Sequence, residues 1–348
     1  MKRFKMNQTY LLFFAAFAAV LVTQGIFAAD DDQPTIAKDA IKIEFTTGRS
    51  GAYEKPGWVP MIDFRINGPI ASGTNVTVEF SLPGKNPWVS FNCNFPETEK
   101  GHWWHTECGG TDISNDKAVT YAGPVGLTIK ASNELMGTKL TLFNGEVKVG
   151  KNPPPPHSGN YQYSASEFYA DDDWKIPIGY LFFAKDDGHM NQSFLHALFW
   201  YRGNPADVEA HLFYKGKDIA KCSIPGNGPS DYNPKKNQWG YADCEFLGVY
   251  ATPPSGDEGY DPKFGLKGNP GDYEVKALIV GHLARSIKFS VGPDGKIADN
   301  GIATANKLGD NRIIVPVQVI GNAETWDRTA WKTGAFYGNP LTGFTAAQ

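Results

Sequence analysis

Apolar and polar residues alternate over short stretches of this chain. Val76-Thr-Val-Glu-Phe80 keeps a period of two, the pattern of a half-buried strand. Short alternating or β-branched runs recur at residues 41–45, 61–66, 89–95, 127–131 and 140–149. They resume at 176–183, 194–201, 208–214, 218–223, 241–247, 273–280 and 287–291, with a last run at 312–321. Turn-forming clusters such as Asn67-Gly-Pro69, Leu82-Pro-Gly84 and Gly292-Pro-Asp-Gly295 separate the runs. No long segment carries a helical stripe. With 38 glycines and 24 prolines, the pattern predicts an all-β protein. Pro316 lies inside the last run, which confines that strand to an edge or a bulge.

The order of motifs repeats. Cys93-Asn-Phe-Pro96 followed by Trp103-Trp-His-Thr-Glu-Cys108 matches Cys222-Ser-Ile-Pro225 followed by Trp239-Gly-Tyr-Ala-Asp-Cys244. Downstream, Pro124-Val-Gly-Leu-Thr-Ile-Lys-Ala131 matches Pro270-Gly-Asp-Tyr-Glu-Val-Lys-Ala277. Two copies of one domain are therefore expected, at residues 39–150 and 161–321. The second has longer inserts at 226–238 and 252–271 and one extra strand. Between them, residues 151–160 hold four consecutive prolines, a polyproline spacer. An aromatic tail, 322–348, carries Trp326, Trp331, Phe336, Tyr337 and Phe344 and is expected to pack back onto a sandwich face.

The N-terminus changes how the cysteines are read. Lys2, Arg3 and Lys5 precede an uncharged apolar run at 11–22, and small residues follow. This layout predicts a signal peptide over residues 1–28 and an acidic leader over 29–38, hence a secreted or periplasmic protein. No later run is long enough to span a membrane. Removing the three cations takes the net charge from −4 to −7, and no basic cluster remains to recruit nucleic acid. In an oxidising compartment the repeat selects Cys93 with Cys108 and Cys222 with Cys244 among the three pairings open to four cysteines. A four-thiolate metal site would need ligands from both domains and lacks the usual paired spacing.

One stretch resembles a known family. Gly271-Asp-Tyr273-Glu-Val275-Lys-Ala277 is similar to the sixth strand of immunoglobulin-like and fibronectin type III-like sandwiches, where a tyrosine can form the tyrosine corner. The resemblance implies two tandem β-sandwich domains, with residues 287–291 as the last strand of the second. Leu127 stands where the first domain would carry that tyrosine. The cysteines lie earlier than in antibody domains, so each bridge is expected to pin neighbouring strands within a sheet.

Candidate chemistry is sparse. No nucleophile elbow, zinc-protease helix, phosphate loop or dinucleotide fingerprint occurs. This weighs against an enzyme. Gly101-His-Trp-Trp-His105 lies in the loop tethered by Cys93 and Cys108. Trp104 could stack on a sugar ring or peptide, with His102 and His105 adding polar contacts, while Trp103 aligns with Trp239 and could simply cover the bridge. No third ligand joins the two histidines for a metal. Asp171-Asp-Asp-Trp174, Asp186-Asp-Gly188 and the turn from Asp294 to Gly301 could offer oxygens to a structural calcium, but none has the full spacing of a calcium loop. No cofactor is expected. The expectation is an exported, non-enzymatic protein that binds a polysaccharide, an envelope component or a protein partner through loops of its sandwiches. The alternatives are a polysaccharide hydrolase or lyase with its site in the second domain, and a structural appendage subunit whose 312–321 strand pairs with a neighbour's sheet.

Overall fold

The computed structural model describes residues 33–348 except 49–54, 69, 95–102, 155, 157–158, 160–161, 186–191, 223–232, 234–235, 257–258, 309–311 and 322–324. The chain is nearly all β. In the first sandwich the strands are β1 (Thr35–Ile36), β2 (Lys42–Thr46), β3 (Val59–Asn67), β4 (Thr74–Leu82), β5 (Lys85–Cys93), β6 (Trp103–Gly109), β7 (Gly123–Asn133), β8 (Thr138–Lys151) and β9 (Phe168–Ala170). β3 pairs with β1 and β2 on one edge and with β6 on the other. The facing sheet runs β5-β4-β7-β8-β9.

The second sandwich contains β10 (Ile178–Lys185), β11 (Ser193–Tyr201), β12 (Val208–Tyr214), β13 (Lys217–Lys221), β14 (Gly240–Phe246), β15 (Val249–Tyr250), β16 (Phe264–Gly265), β17 (Gly271–Ile279), β18 (His282–Val291) and β19 (Ile313–Val319). β10-β11-β14 repeats the order β2-β3-β6, and β13-β12-β17-β18 repeats β5-β4-β7-β8. The two halves thus share a plan of three strands against four, to which β1 and β9 are added in the first half and β19 in the second. α1 (Ile302–Ala305), α2 (Ala330–Thr333) and the tail add a third layer on the outer face of β10 and β11.

The cores follow the alternation. Val76, Val78 and Phe80 point inward from β4 against Ile62, Phe64 and Ile66 of β3. Trp58 is fully buried, donates its indole N–H to the Tyr121 carbonyl at 2.9 Å, and meets Phe45 and Trp88 edge-on. In the second sandwich Tyr273 donates to the Asn269 carbonyl at 2.6 Å, the tyrosine corner that the resemblance implied. Leu127 is buried at the corresponding place in the first.

Both expected disulfides form, with Cα separations of 5.5 Å for Cys93–Cys108 and 5.0 Å for Cys222–Cys244. Their placement corrects the sequence reading. Cys93 ends β5 and Cys108 lies in β6, which belong to opposite sheets, so the bridge joins the sheets at their shared margin. Cys222, just past β13, does the same with Cys244 of β14. Chain neighbours became sheet opposites because the connections from β5 to β6 and from β13 to β14 cross the sandwich.

Two further expectations change. The five-stranded sheet does not stop at residue 150. β9 follows the proline run and pairs with Val149–Lys151 of β8, so the run connects two strands of one sheet. The 312–321 strand is not left for a neighbour. Residues 313–316 of β19 pair with β10, and Val317–Val319 pair with β18. Pro316, which lacks an N–H, sits where β19 passes from one sheet to the other, so a ladder is interrupted only where it ends anyway.

Candidate functional site

The outer faces of two sheets confront each other between the sandwiches. From β2 and β3 come Lys42, Glu44, Asp63 and Arg65; from β11 and β14 come Leu198, Trp200, Tyr241 and Asp243. The period of two that buries Ile43, Ile62, Phe64 and Ile66 turns these residues outward. Asp39, Asp172, Lys175, Leu308, Arg312 and Trp239 complete a cleft of about 730 Å³, within the size range of ligand sites.

Charges in the cleft are largely matched. The Arg312 guanidinium lies 2.7 Å from the buried Asp39 carboxylate, a link between the two sandwiches. Lys175 holds Asp172 at 2.9 Å, and Lys42 pairs with Glu44. The hydrogen bond that Lys42 donates to Glu44 raises the Lys42 pKa, and the charges of Glu44, Asp63 and Glu107 add to that against the effect of burial. With five carboxylates and four Lys or Arg lining it, the cleft projects no strong field of either sign. Its apolar surfaces are aromatic. Tyr241 is 43% exposed, and Trp200 and Trp239 are partly covered.

A buried hub fixes the Trp239 side. The Arg202 guanidinium lies 3.6 Å from the Trp239 ring centroid and donates to Asp173 at 3.0 Å, Asn237 at 2.8 Å and the Thr325 carbonyl at 2.7 Å. Asp173 also accepts the Asp327 N–H at 2.5 Å, and the Asn237 N–H reaches Asn152 of the first half at 2.9 Å. One side of the Trp239 ring is therefore spent on Arg202. Burial pushes the Asp173 carboxyl up to about 6, although the Asp327 N–H and Arg202 pull it down. A raised folded pKa means that the folded state holds this proton more tightly than the unfolded chain. The contribution is then fully present below about pH 4 and lost as pH rises through about 6. Melting temperatures of wild type and Asp173→Asn, compared from pH 4 to 8, should diverge over that window, with the wild type losing ground as pH rises, and run parallel above it. A gap that does not change with pH would remove Asp173 as the source.

Beside the cleft, His196 of β11 is buried with its ring stacked on Phe182 at 5.0 Å. Its Nδ1 is 2.9 Å from Asp243, and its Nε2 is 3.8 Å from the buried Glu245. The three share the outer face of β11 and β14.

No protein-family model, curated protein or solved structure matches this chain.

The residues singled out from the sequence fare differently. Trp103, Trp104 and His105 belong to β6, a strand where a loop was expected, and their register partners are Asn67, Ile66 and Arg65. Their side chains, and all of His102, lie outside the described residues, as does Asp186-Asp-Gly188. The other acidic turns have local partners. Asp171 pairs with Lys148 at 2.7 Å, and the side chains of Asp294 and Asp299 accept the N–H groups of Lys296 and Gly301. No cluster of three or more metal-ligating side chains occurs among the described residues. No described helix is long and apolar enough to cross a membrane. The sequence reading missed the cleft. Its signal was the polar half of strands already recognised, Lys42/Glu44 and Asp63/Arg65, but alternation does not say what a polar face looks at.

Proposed function

We propose that this is an exported binding protein whose ligand is a neutral or weakly charged saccharide held in the cleft between the two sandwiches. The observation that carries the reading is the composition of the cleft: exposed Tyr241 with Trp200 and Trp239, among ionic groups that mostly neutralise one another. Aromatic faces suit the apolar face of a sugar ring, and paired charges offer fixed donors and acceptors to hydroxyls. The shared strand order of the two halves and the equivalent bridges support descent from one duplicated domain, and the apolar N-terminal run supports export.

The test is calorimetric titration with soluble neutral oligosaccharides, together with co-sedimentation on insoluble polysaccharides and cell-wall sacculi. Binding by the wild type should weaken at least about tenfold in Tyr241→Ala, a loss of about 1.4 kcal/mol. Wild-type binding that Tyr241→Ala and Trp239→Ala leave unchanged would move the ligand out of the cleft, and no binding to any sugar would end the proposal.

A second reading rests on His196, Asp243 and Glu245. A histidine oriented by one carboxylate and close to another is suited to proton transfer at the cleft edge. It makes the protein a polysaccharide hydrolase or lyase. Release of sugar in the same assays, abolished by Asp243→Asn, would establish it; binding without release would exclude it for the sugars tried.

A further inference from the structure

The first sandwich has an apolar groove of about 310 Å³ between its sheets, bordered by Pro34, Ile66, Ile70, Val76, Leu140 and Leu142. Met136, which lines it, is 63% exposed, and its chain neighbour Leu135 is 91% exposed. No Asp, Glu, Lys, Arg or His lines it. The Thr74 hydroxyl already takes a hydrogen bond from Asn133, so the wall offers few groups to a polar guest.

The second sandwich shows how the same place is filled. There, Val317–Val319 of β19 pair with Arg285–Ile287 of β18, and Val317 is wholly buried in the core. β18 is the counterpart of β8. Ala277 pairs with Arg285 where Ala131 pairs with Leu140, and Val275 with Ile287 where Ile129 pairs with Phe143. The edge that β19 covers is therefore the edge at residues 140–143 of β8. In the first sandwich β9 pairs with β8 only at Val149–Lys151, and the tail takes Glu146 N and Asn144 O. Among the described residues no strand pairs with residues 138–143 on that edge. One extra residue, Leu142, bulges there and lines the groove.

We infer that this groove is a docking site for an extended strand from another polypeptide, with aliphatic residues at alternate positions, added to the β8 edge as β19 is added to β18. Main-chain hydrogen bonds to the edge supply affinity, and the groove selects the inward side chains. The residues left just ahead of Gln33 after cleavage at Ala28 are Ala29-Asp30-Asp31-Asp32, whose carboxylates would be stranded against carbon. The strand therefore comes from a different chain.

The probe is a peptide with the β19 sequence Ile313–Val319 flanked by lysines, titrated against the exported chain by fluorescence anisotropy. Saturable binding is expected. It should fall at least tenfold in Ala131→Leu, which fills the groove from its wall, and in Leu142→Lys, which puts a charge in it. Both variants must show an intact unfolding transition, and loss in either folded variant is sufficient support. Several results would overturn the inference. They are absence of wild-type binding, binding unchanged in both variants, and saturable uptake of dodecanoic acid instead of the peptide, which would make this a lipid site. Binding that appears only after removal of residues ahead of Gln33 would assign the groove to the chain's own leader. A concentration-dependent dimer abolished by Ala131→Leu would assign it to a second copy.

Discussion

Replacing Tyr337 by alanine should destabilise the protein by about 3–5 kcal/mol, among the largest losses of any single substitution. Tyr337 belongs to the C-terminal tail yet is buried in the core of the first sandwich. Its hydroxyl donates to the Ile41 carbonyl at 2.8 Å, and its own carbonyl accepts the Glu146 N–H at 2.5 Å. Phe336, beside it, packs edge-on against Trp174 at 5.2 Å and belongs to the cluster on the second sandwich. Two adjacent aromatic residues thus fasten the tail to both halves. Pointing them to opposite sides takes an unusual backbone, with φ of 47° at Phe336 and 52° at Tyr337. That conformation costs roughly 1–3 kcal/mol per residue and persists only where packing over-determines it. Gly145 completes the fit, because a Cβ there would collide with the Tyr337 carbonyl oxygen. Burial also raises the Tyr337 pKa well above its ordinary value, so the phenol stays protonated as a donor. Urea unfolding is the measurement. Tyr337→Phe should lose about 1–3 kcal/mol by leaving the Ile41 carbonyl unpaired. If Tyr337→Ala unfolded with wild-type stability, the tail would be an appendage and not a clasp.

Arg202→Ala should cost about 3–5 kcal/mol and also weaken ligand binding in the cleft. The Arg202 and Asp173 side chains are only 15% and 9% exposed, the regime in which removing one partner strands a buried charge. The same truncation frees the Trp239 ring, the Asn237 side chain and the Thr325 carbonyl. Arg202→Lys should recover little, since one ammonium cannot reproduce the planar fork that reaches three acceptors while lying on an indole. The loss should shrink at low pH, because protonated Asp173 no longer needs a counter-charge. Unfolding at pH 4.5 and 7.5, paired with saccharide titration at pH 7.5, separates the effects. Equal losses at both values would mean that Arg202 acts through its stacking on Trp239 and its bonds to Asn237 and Thr325, and not through the Asp173 charge. Lost stability with undiminished saccharide binding would detach the hub from the site.

Much of the fold was legible because burial of alternating side chains is a local code. Val76, Val78 and Phe80 on one face of β4 could be read as inward without knowing what they meet. Residues 208–214 were predicted as a strand with the same bounds as β12 for that reason. The cysteine pairing was legible too, since only one pairing respects the repeat. Five strands escaped, three of which, β1, β15 and β16, are only two residues long. β6 carries the Trp103-Trp104-His105 run, whose consecutive aromatic residues look like a binding loop and hide the alternation. β9 has three residues, too few to show a period.

By itself the sequence determined most of the strands, the order in which they recur and the disulfide partners, because each depends on residues close together or repeated at matching positions. Only the tertiary structure decided which sheet each cysteine joins, that β9 lies beyond the proline run, that Tyr337 reaches back to Ile41, and that Lys42, Asp63, Trp200 and Tyr241 surround one cleft. Those features bring together residues far apart in the chain. Their partners are chosen by how two finished sandwiches fit, and a polar face reads the same along the sequence whether it meets water or another domain.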